Sequence, residues 1–366
     1  MNGKRLIISG GGTAGHLYPA LVIAQKLKEK APEIQITFVG SSRKLEKTIM
    51  EHYKADFISL KIEGIKGKGL KIVKSLLVLP YSFIKSLAIL IRIKPALVIG
   101  VGGYSSGPIV ILSSWIKIPT LIMEQNVYPG FTNRMLVPWV KKAVVAFENS
   151  LPHFKGKGVF IGNPVREEFY NLPPKMTNHK LSILIFGGSQ GSHFLNKGVV
   201  DSLQFLKKDK DNLRIFHQTG KEDYEWVKNC YTQNEFMDVV VSSYFHNIAD
   251  YFQKSDLVIS RAGATTIAEL TAAQKASLLI PFSKATDNHQ VLNARELEKI
   301  NSAEVILEKE FTPKYFANKI LNFVNNKEKI IRMAKNLECL KTENVPERIL
   351  QLCLELLETK DREEMT

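Results

Sequence analysis

Cysteine is scarce in this 366-residue chain: Cys230, Cys339 and Cys353 are widely spread and have no C-x-x-C partner. An odd, scattered set excludes a disulfide framework and a zinc site of ordinary spacing, and fits a reducing compartment. The N-terminus also lacks a long apolar run. Met1-Asn-Gly-Lys-Arg-Leu-Ile-Ile-Ser reaches Gly10-Gly11-Gly12 before a signal-peptide core could be completed, so export is not expected. No G-K-[ST] follows either glycine cluster, which removes a P-loop. Low-complexity sequence is missing as well.

What is present is globular. With 45% hydrophobic and 23% charged residues the chain lies outside the disordered and collagenous ranges. Its length exceeds the roughly 250 to 300 residues at which one core stops growing, so two domains are expected. Net charge is +14, and it is unevenly placed: residues 1–163 carry 23 basic and 8 acidic side chains, the remainder 27 and 28. A basic half of this kind suits an anionic surface or ligand, such as membrane phospholipid, a lipid diphosphate or nucleic acid. The plainer alternative is a solvated basic face. No nucleic-acid motif accompanies the charge, and its company of Leu, Ile and Phe at 72–93 suits lipid better, so nucleic acid is not expected as a partner.

Short β-rich runs alternate with helical stretches. In the first half they are Leu6 to Ser9, Gln35 to Val39, Ala96 to Val101, Pro119 to Glu124 and Ala143 to Phe147. In the second they are Leu181 to Phe186, Leu213 to Gln218, Asp238 to Val241, Asp256 to Ser260 and Ala276 to Pro281. Strands separated by crossovers imply parallel sheets with helices on both faces, hence an α/β fold class. Leu6-Ile-Ile-Ser-Gly-Gly-Gly-Thr-Ala-Gly-His16 echoes Ile183-Leu-Ile-Phe-Gly-Gly-Ser-Gln-Gly-Ser-His193 at a spacing of 177 residues, about half the chain. That spacing marks twin doubly wound domains rather than a solenoid. The hinge is placed near Gly162-Asn163-Pro164, giving domains over 1–162 and 163–340 and a C-terminal helix over 341–366 packing back on the first domain.

Residues 71–94 are long and apolar enough to raise the question of a membrane span, but Lys74, Pro80, Lys85 and Arg92 interrupt them. A mid-bilayer lysine costs about 2.5 to 3.5 kcal/mol, so the segment does not cross. It reads as two helices joined near Pro80, either lying partly on a membrane interface beside Lys61, Lys66, Lys68 and Lys71, or packed in the ordinary way into the core.

Gly10-Gly11-Gly12-Thr13-Ala14-Gly15 satisfies G-x-G-x-x-G between a strand and a helix, where backbone N–H groups can approach a diphosphate. A dehydrogenase would need an acidic residue at the end of the next strand; Val39-Gly40-Ser41-Ser42-Arg43 stands there, leaving only a small opening for NADP. Gly187-Gly188-Ser189-Gln190-Gly191 fits a hydrolase nucleophile elbow, but Gly103-Tyr104-Ser105-Ser106-Gly107 fits it equally, so the pattern discriminates little. Ser189 can instead donate to a phosphate held at a helix N-terminus. In Ser260-Arg-Ala-Gly-Ala-Thr-Thr-Ile-Ala-Glu269, backbone donors from Gly263 to Thr266 could hold a phosphate while Glu269 accepts from paired ribose hydroxyls; otherwise Glu269 is a solvated helical glutamate. Asp287-Asn288-His289-Gln290 offers polar groups suited to a sugar. His16 opens a helix after the glycine turn, where a neutral imidazole is favoured and can act as a general base, or simply make a structural hydrogen bond. Asp209-Lys210-Asp211 has metal-holding D-x-D spacing but lies in a charge run, so no metal is assigned.

Taken in order, GGGTAGHLYPA (10–20), GVGGYSSGP (100–108), EQNVYPGFTN (124–133), GNPVR (162–166), FGGSQGS (186–192), HQTGK (217–221), SRAGATTIAEL (260–270) and PFSKATDNHQVLNA (281–294) resemble the MurG family, the peptidoglycan N-acetylglucosaminyltransferases. The resemblance implies a GT-B fold of two Rossmann-like domains facing a central cleft. It implies inverting transfer of GlcNAc from UDP-GlcNAc to the muramoyl O4 of undecaprenyl-diphospho-MurNAc-pentapeptide, without a cofactor, by a peripheral enzyme on the cytoplasmic face of the membrane. The first domain would face the acceptor and an anionic membrane surface, the second would bind UDP-GlcNAc. Carried over by position, the base is His16. Donor contacts are Thr13, Ala14, Gly15, Asn126, Arg166, Ser189, Phe245, Ala264, Thr265, Thr266, Ile267, Ala268, Glu269 and Gln290, with Tyr244 near the uracil; acceptor contacts are Tyr104, Ser105 and Asn126. Ala14, Tyr244 and His246-Asn247 depart from the family's usual residues, which bears on uracil packing and on the freedom of the first loop. A related glycosyltransferase acting on diacylglycerol would share the donor motifs. A catalytically silent nucleotide-sugar-binding module could dispense with His16, Tyr104 and Asn126, whose joint presence argues for an enzyme.

Overall fold

A computed structural model describes residues 3–12, 14–60, 70–170, 172, 180–340 and 342–365, with backbone alone at 14, 45, 70–78 and 360–365. Thr13, Lys61, Lys66 and Lys68 lie outside the described residues, as does the side chain of Lys71. The chain divides into two compact units, Met1–Val165 with Thr342–Thr366, and Arg166–Lys341.

In the first unit seven parallel strands form one sheet: β1 (Arg5–Gly10), β2 (Gln35–Ser41), β3 (Asp56–Leu60), β4 (Leu97–Gly102), β5 (Thr120–Glu124), β6 (Lys142–Val145) and β7 (Gly158–Phe160), in the order β3-β2-β1-β4-β5-β6-β7. The helices are α1 (Ala14–Lys30), α2 (Lys44–His52), α3 (Leu70–Ile93), α4 (Ser106–Trp115) and α5 (Phe131–Leu136). Strand alternation divides the core between the two faces. Leu6, Ile8, Leu97 and Ile99 pack with Leu17 and Leu27 of α1. Ile7, Val98 and Ile122 pack with Ile89, Leu90 and Ile93 of α3 and Ile109 and Val110 of α4. The last helix of the chain, Val345–Met365, joins the α1 side through Ile349, Cys353 and Leu357. Lys26 of α1 pairs with Glu347 at 3.3 Å, and Arg348 donates to the Phe160 carbonyl at 3.1 Å.

The second unit has six parallel strands, β8 (Leu181–Phe186), β9 (Leu213–Gln218), β10 (Val239–Ser242), β11 (Leu257–Ser260), β12 (Ala276–Leu279) and β13 (Ala303–Val305), in the order β10-β9-β8-β11-β12-β13. Its helices are α6 (His193–Leu206), α7 (Tyr224–Gln233), α8 (Ile248–Lys254), α9 (Ala264–Ala272), α10 (His289–Lys299), α11 (Pro313–Asn325) and α12 (Lys327–Asn336), so that the last helix of the chain is α13. Ile183, Ile185, Leu257, Ile259, Leu278 and Ile280 pack against α6 and α11. On the other face Phe252 of α8 meets Phe169 edge-on at 5.1 Å and Phe186 at 5.9 Å. In both sheets the order reverses beside the first strand of the unit, between β1 and β4 and between β8 and β11. The crevice at the carboxyl ends of such strands is where open α/β sheets bind ligands.

Two expectations need correction. Residues 70–93 form one helix that runs through Pro80 rather than two helices joined there. Ile89, Leu90 and Ile93 anchor the segment after the proline against the sheet, so a lost backbone hydrogen bond need not break it. Strands β3, β7 and β13 escape the alternation reading because all three are edge strands of three to five residues.

Candidate active site

In the first unit two glycine turns meet at the reversal point. Gly11 N–H donates to the Gly102 carbonyl at 3.1 Å, and a Cβ on Gly103 would fall 2.3 Å from the Gly11 oxygen. Backbone approach this close, at φ +82° for Gly103, leaves room only for glycine. The first turn leads into α1, whose half-buried His16 lies over Gly102: Nε2 would be 3.0 Å from a Cβ built there. Its Nδ1 is 2.9 Å from the Gly11 carbonyl oxygen. A carbonyl only accepts, so the neutral ring carries its proton on Nδ1 and its lone pair on Nε2, the form a base needs.

The second glycine turn leads to Tyr104, which is half-buried, and to Ser105, which is buried with its carbonyl accepting from Ser9 Oγ at 3.1 Å. Ser105 therefore props the turn rather than presenting its hydroxyl outward. Asn126 follows β5 and is held by Glu124. That carboxylate is 3% exposed; Oε1 accepts from Asn126 N–H at 2.9 Å and from its side-chain amide at 3.1 Å, while Oε2 accepts from Gly130 N–H and Asn133 Nδ2, each at 2.9 Å.

In the second unit the Gly187–Ser192 turn after β8 packs backbone to backbone on the turn after β9: a Cβ on Gly191 would sit 2.0 Å from the Thr219 oxygen. Ser189 is exposed at its tip. Ser192 caps α6 and accepts from Arg261 Nε at 3.1 Å and Nη2 at 2.9 Å. Arg261, buried at the end of β11, also donates to the Ile280 carbonyl at 3.0 Å and pairs with Glu308 at 2.6 Å. It thus ties three loops together, with Phe194 and Phe282 flanking the guanidinium at 5.4 and 5.5 Å. Gly263 precedes α9, and no side chain caps that N-terminus. Ala264, Thr265, Thr266 and Ala268 are half-buried, whereas Ile267 is buried among the core residues.

Glu269 lies in the second turn of α9 with its side chain 13% exposed. Burial pushes its carboxyl up to about 7, opposed by Arg166, whose Nη2 is 3.9 Å away, and reinforced by Glu168. The alternative of a solvated helical glutamate is therefore dropped. Gln290 Oε1 accepts from Ala262 N–H at 3.3 Å and Phe282 N–H at 3.0 Å, joining the turns after β11 and β12. Phe245 is buried and stacked on Tyr251 at 3.7 Å, and its N–H donates to Gln218 Oε1 at 2.8 Å; Tyr244 beside it is exposed. Glu124, Gln218 and Arg261 were not singled out by the sequence reasoning. Each stands at a strand end; Gln218 and Arg261 find their partners in distant segments, whereas Glu124 holds the loop that directly follows it.

These sites belong to a recognisable lineage. Residues 6–145 match the glycosyltransferase family 28 N-terminal domain, and residues 182–352 match the glycosyltransferase family 28 C-terminal domain. The UDP-N-acetylglucosamine--N-acetylmuramyl-(pentapeptide) pyrophosphoryl-undecaprenol N-acetylglucosamine transferase of Myxococcus xanthus (strain DK1622) is 38% identical over 359 residues, covering 96% of this chain and 93% of that protein. The protein of the same name from Syntrophus aciditrophicus (strain SB) is 42% identical over 326 residues, 88% of this chain and 90% of its own. Among solved structures, Acinetobacter baumannii MurG superposes with a TM-score of 0.77 at 26% identity, over 96% of this chain and 99% of that one.

Proposed function

The chain belongs to glycosyltransferase family 28 and, within it, to the UDP-GlcNAc-dependent N-acetylglucosaminyltransferases of the MurG group, and on that premise we propose that it converts lipid I to lipid II in peptidoglycan synthesis. The observation that carries this reading is identity of 38–42% spread over 88–96% of the chain with relatives bearing that activity in their name.

UDP-GlcNAc is held by the second unit. Ribose hydroxyls donate to Glu269, the diphosphate meets the N-terminus of α9 and the Ser189 turn, and Arg166 adds positive charge nearby. The uracil reaches the Phe245 backbone, where the carbonyl is the better contact because the N–H already serves Gln218. In the first unit Tyr104 and Asn126 orient the acceptor. His16 Nε2 takes the proton of the muramoyl C4 hydroxyl as that oxygen bonds to the anomeric carbon and the bond to UDP breaks, with inversion. A base of this kind contributes about 10²- to 10⁴-fold. His16→Ala should lower kcat by that factor and leave UDP-GlcNAc affinity unchanged; near-wild-type turnover would remove His16 as the base.

No helix of the described residues is long and apolar enough to cross a membrane. On α3, however, Tyr81, Ile84, Leu87 and Ile91 are exposed on one side at helical spacing, while Ile89, Leu90 and Ile93 are buried on the other. We assign that outer stripe, in the basic half of the chain, to peripheral binding at the cytoplasmic face of an anionic membrane. The deciding assay is transfer from radiolabelled UDP-GlcNAc to a shortened-chain lipid I analogue, run in EDTA beside a diacylglycerol control. Product on the lipid I analogue alone, undiminished by chelator, is expected. Product on diacylglycerol alone would replace the acceptor, and a requirement for a divalent cation would overturn the metal-free chemistry.

A further inference from the structure

Glu46, in the first turn of α2, is fully buried although it has no cationic partner among the described contacts, and it faces the glycine turn that carries the proposed base. Its Oε1 accepts from Gly12 N–H at 2.6 Å and from Ser41 Oγ, and its Oε2 accepts from Ser41 N–H at 2.7 Å. The fit is tight: a Cβ on Gly11 would lie 2.4 Å, and one on Gly40 2.5 Å, from Oε2. On its other side the same turn is pinned by Gly11 N–H to Gly102. Arg43 Nη1 also donates to the Gly12 carbonyl at 2.7 Å, and among these three restraints the Gly11 carbonyl is aimed at His16 Nδ1.

We propose that Glu46 is a positioning residue for the transfer reaction: by clamping Gly12 it fixes the Gly11 carbonyl, and so keeps the His16 proton on Nδ1 and the lone pair on Nε2. This rests on His16 being the base. Only a carboxylate meets the requirement, because both of its oxygens face donors. Glutamine at this position would turn an amide NH₂ toward either Gly12 or Ser41, setting donor against donor across a buried contact. The clamp also accounts for the Gly12 amide, which is committed to Glu46 and so is not offered to a diphosphate of the substrate.

The test combines kinetics with spectroscopy on the full chain. Glu46→Gln should lower kcat about ten- to a hundredfold, a part of what a general base supplies, while the affinity for UDP, read separately by calorimetry, stays unchanged because Arg166, Ser189, Phe245 and Glu269, to which the uridine diphosphate is assigned, belong to the other unit. In ¹⁵N-histidine spectra the His16 resonances, identified by their loss in His16→Ala, should move from the Nδ1–H toward the Nε2–H tautomer. In a double-mutant cycle Glu46→Gln should cost little once His16 is alanine. Three outcomes separate the readings. If His16→Ala itself stays near wild type, the base assignment fails. If His16→Ala is impaired but Glu46→Gln adds its full effect to it, or leaves the tautomer unchanged, the clamp fails while the base stands. Should Glu46→Gln not fold, Glu46→Asp, which is too short to reach Gly12 while holding Ser41, must show the same kcat loss and tautomer shift. Wild-type turnover in that variant would overturn the proposal.

Discussion

With Glu269 holding the ribose as proposed, donor binding should depend on pH in a direction that its burial dictates. The ribose hydroxyls are donors, so they bind the carboxylate form, yet desolvation holds the carboxyl of the free protein at about 7. Below that pH the site must first lose a proton. At pH 5.5 the deficit is about 1.5 units, which at 1.36 kcal/mol per unit is about 2 kcal/mol, or roughly thirtyfold in Kd. UDP-GlcNAc affinity should therefore rise from pH 5.5 to about 7.5 and level off above. Its diphosphate is a diester with no ionisation in that window, which is why the sugar nucleotide is the ligand to use. Titration calorimetry in buffers of different ionisation enthalpy should show net proton release near neutral pH, and Glu269→Gln should abolish both the slope and the release.

The same burial predicts an opposite effect on the empty protein. The carboxyl is raised from the usual 4.5 to about 7, so the folded state holds the proton more tightly than the unfolded one. The stability this contributes is present below pH 4.5 and is lost as pH rises through 7, up to about 3 kcal/mol. At pH 8 unliganded Glu269→Gln should therefore melt several degrees above the wild type even though it binds donor more weakly. Affinity that is flat from pH 5.5 to 8.5, or a variant that is destabilised at pH 8, would refute the reasoning.

Other expectations follow from equally specific contacts. Glu308→Ala strands the buried Arg261 guanidinium and should cost about 3 kcal/mol in denaturant unfolding, the usual loss when one partner of a buried pair is removed; a cost below 1 kcal/mol would show the pin to be dispensable. His217, buried between Tyr231 and Asn196, is held down at about 3 from the usual 6.5, so its contribution is complete above pH 6.5 and is lost as pH falls toward 3. His217→Gln should remove about 3 kcal/mol of the acid sensitivity between pH 6.5 and 4, measured as the difference from wild type at each pH. On α3, Ile84→Asp with Ile91→Asp should sharply weaken salt-sensitive binding to anionic vesicles in a flotation assay while leaving Tm within a degree or two, since both side chains are exposed; undiminished flotation would move the membrane contact elsewhere.

Legibility in the sequence tracks how local each cause is. Strands β1, β4, β8 and β11 are buried on both faces and read as continuous apolar runs, and the glycine turns after β1 and β8 repeat because the same backbone problem is solved twice. The half-buried edge strands β3 and β7 and the three-residue β13 lack such runs, and whether Pro80 breaks a helix depends on what packs against the following turns, which no local pattern encodes. The site divides along the same line. Glycine turns, the Gly263 entry to α9 and the position of His16 are statements about neighbouring residues and could be read directly. Glu269 was legible as a candidate, but its burial, and with it the raised carboxyl, comes from tertiary packing. Glu46 gave no sign of its role, because a carboxylate in sequence looks the same whether it faces water or accepts from the backbone: it takes the N–H of a residue 34 positions away. Glu124 lies inside the EQNVYPGFTN motif and holds the loop that follows it, but its burial comes from tertiary packing. The groups proposed to do the chemistry stand on motifs, while the Glu46 carboxylate proposed to aim one of them is buried against a motif distant in sequence, so the first can be read from local pattern and the second only from tertiary contacts.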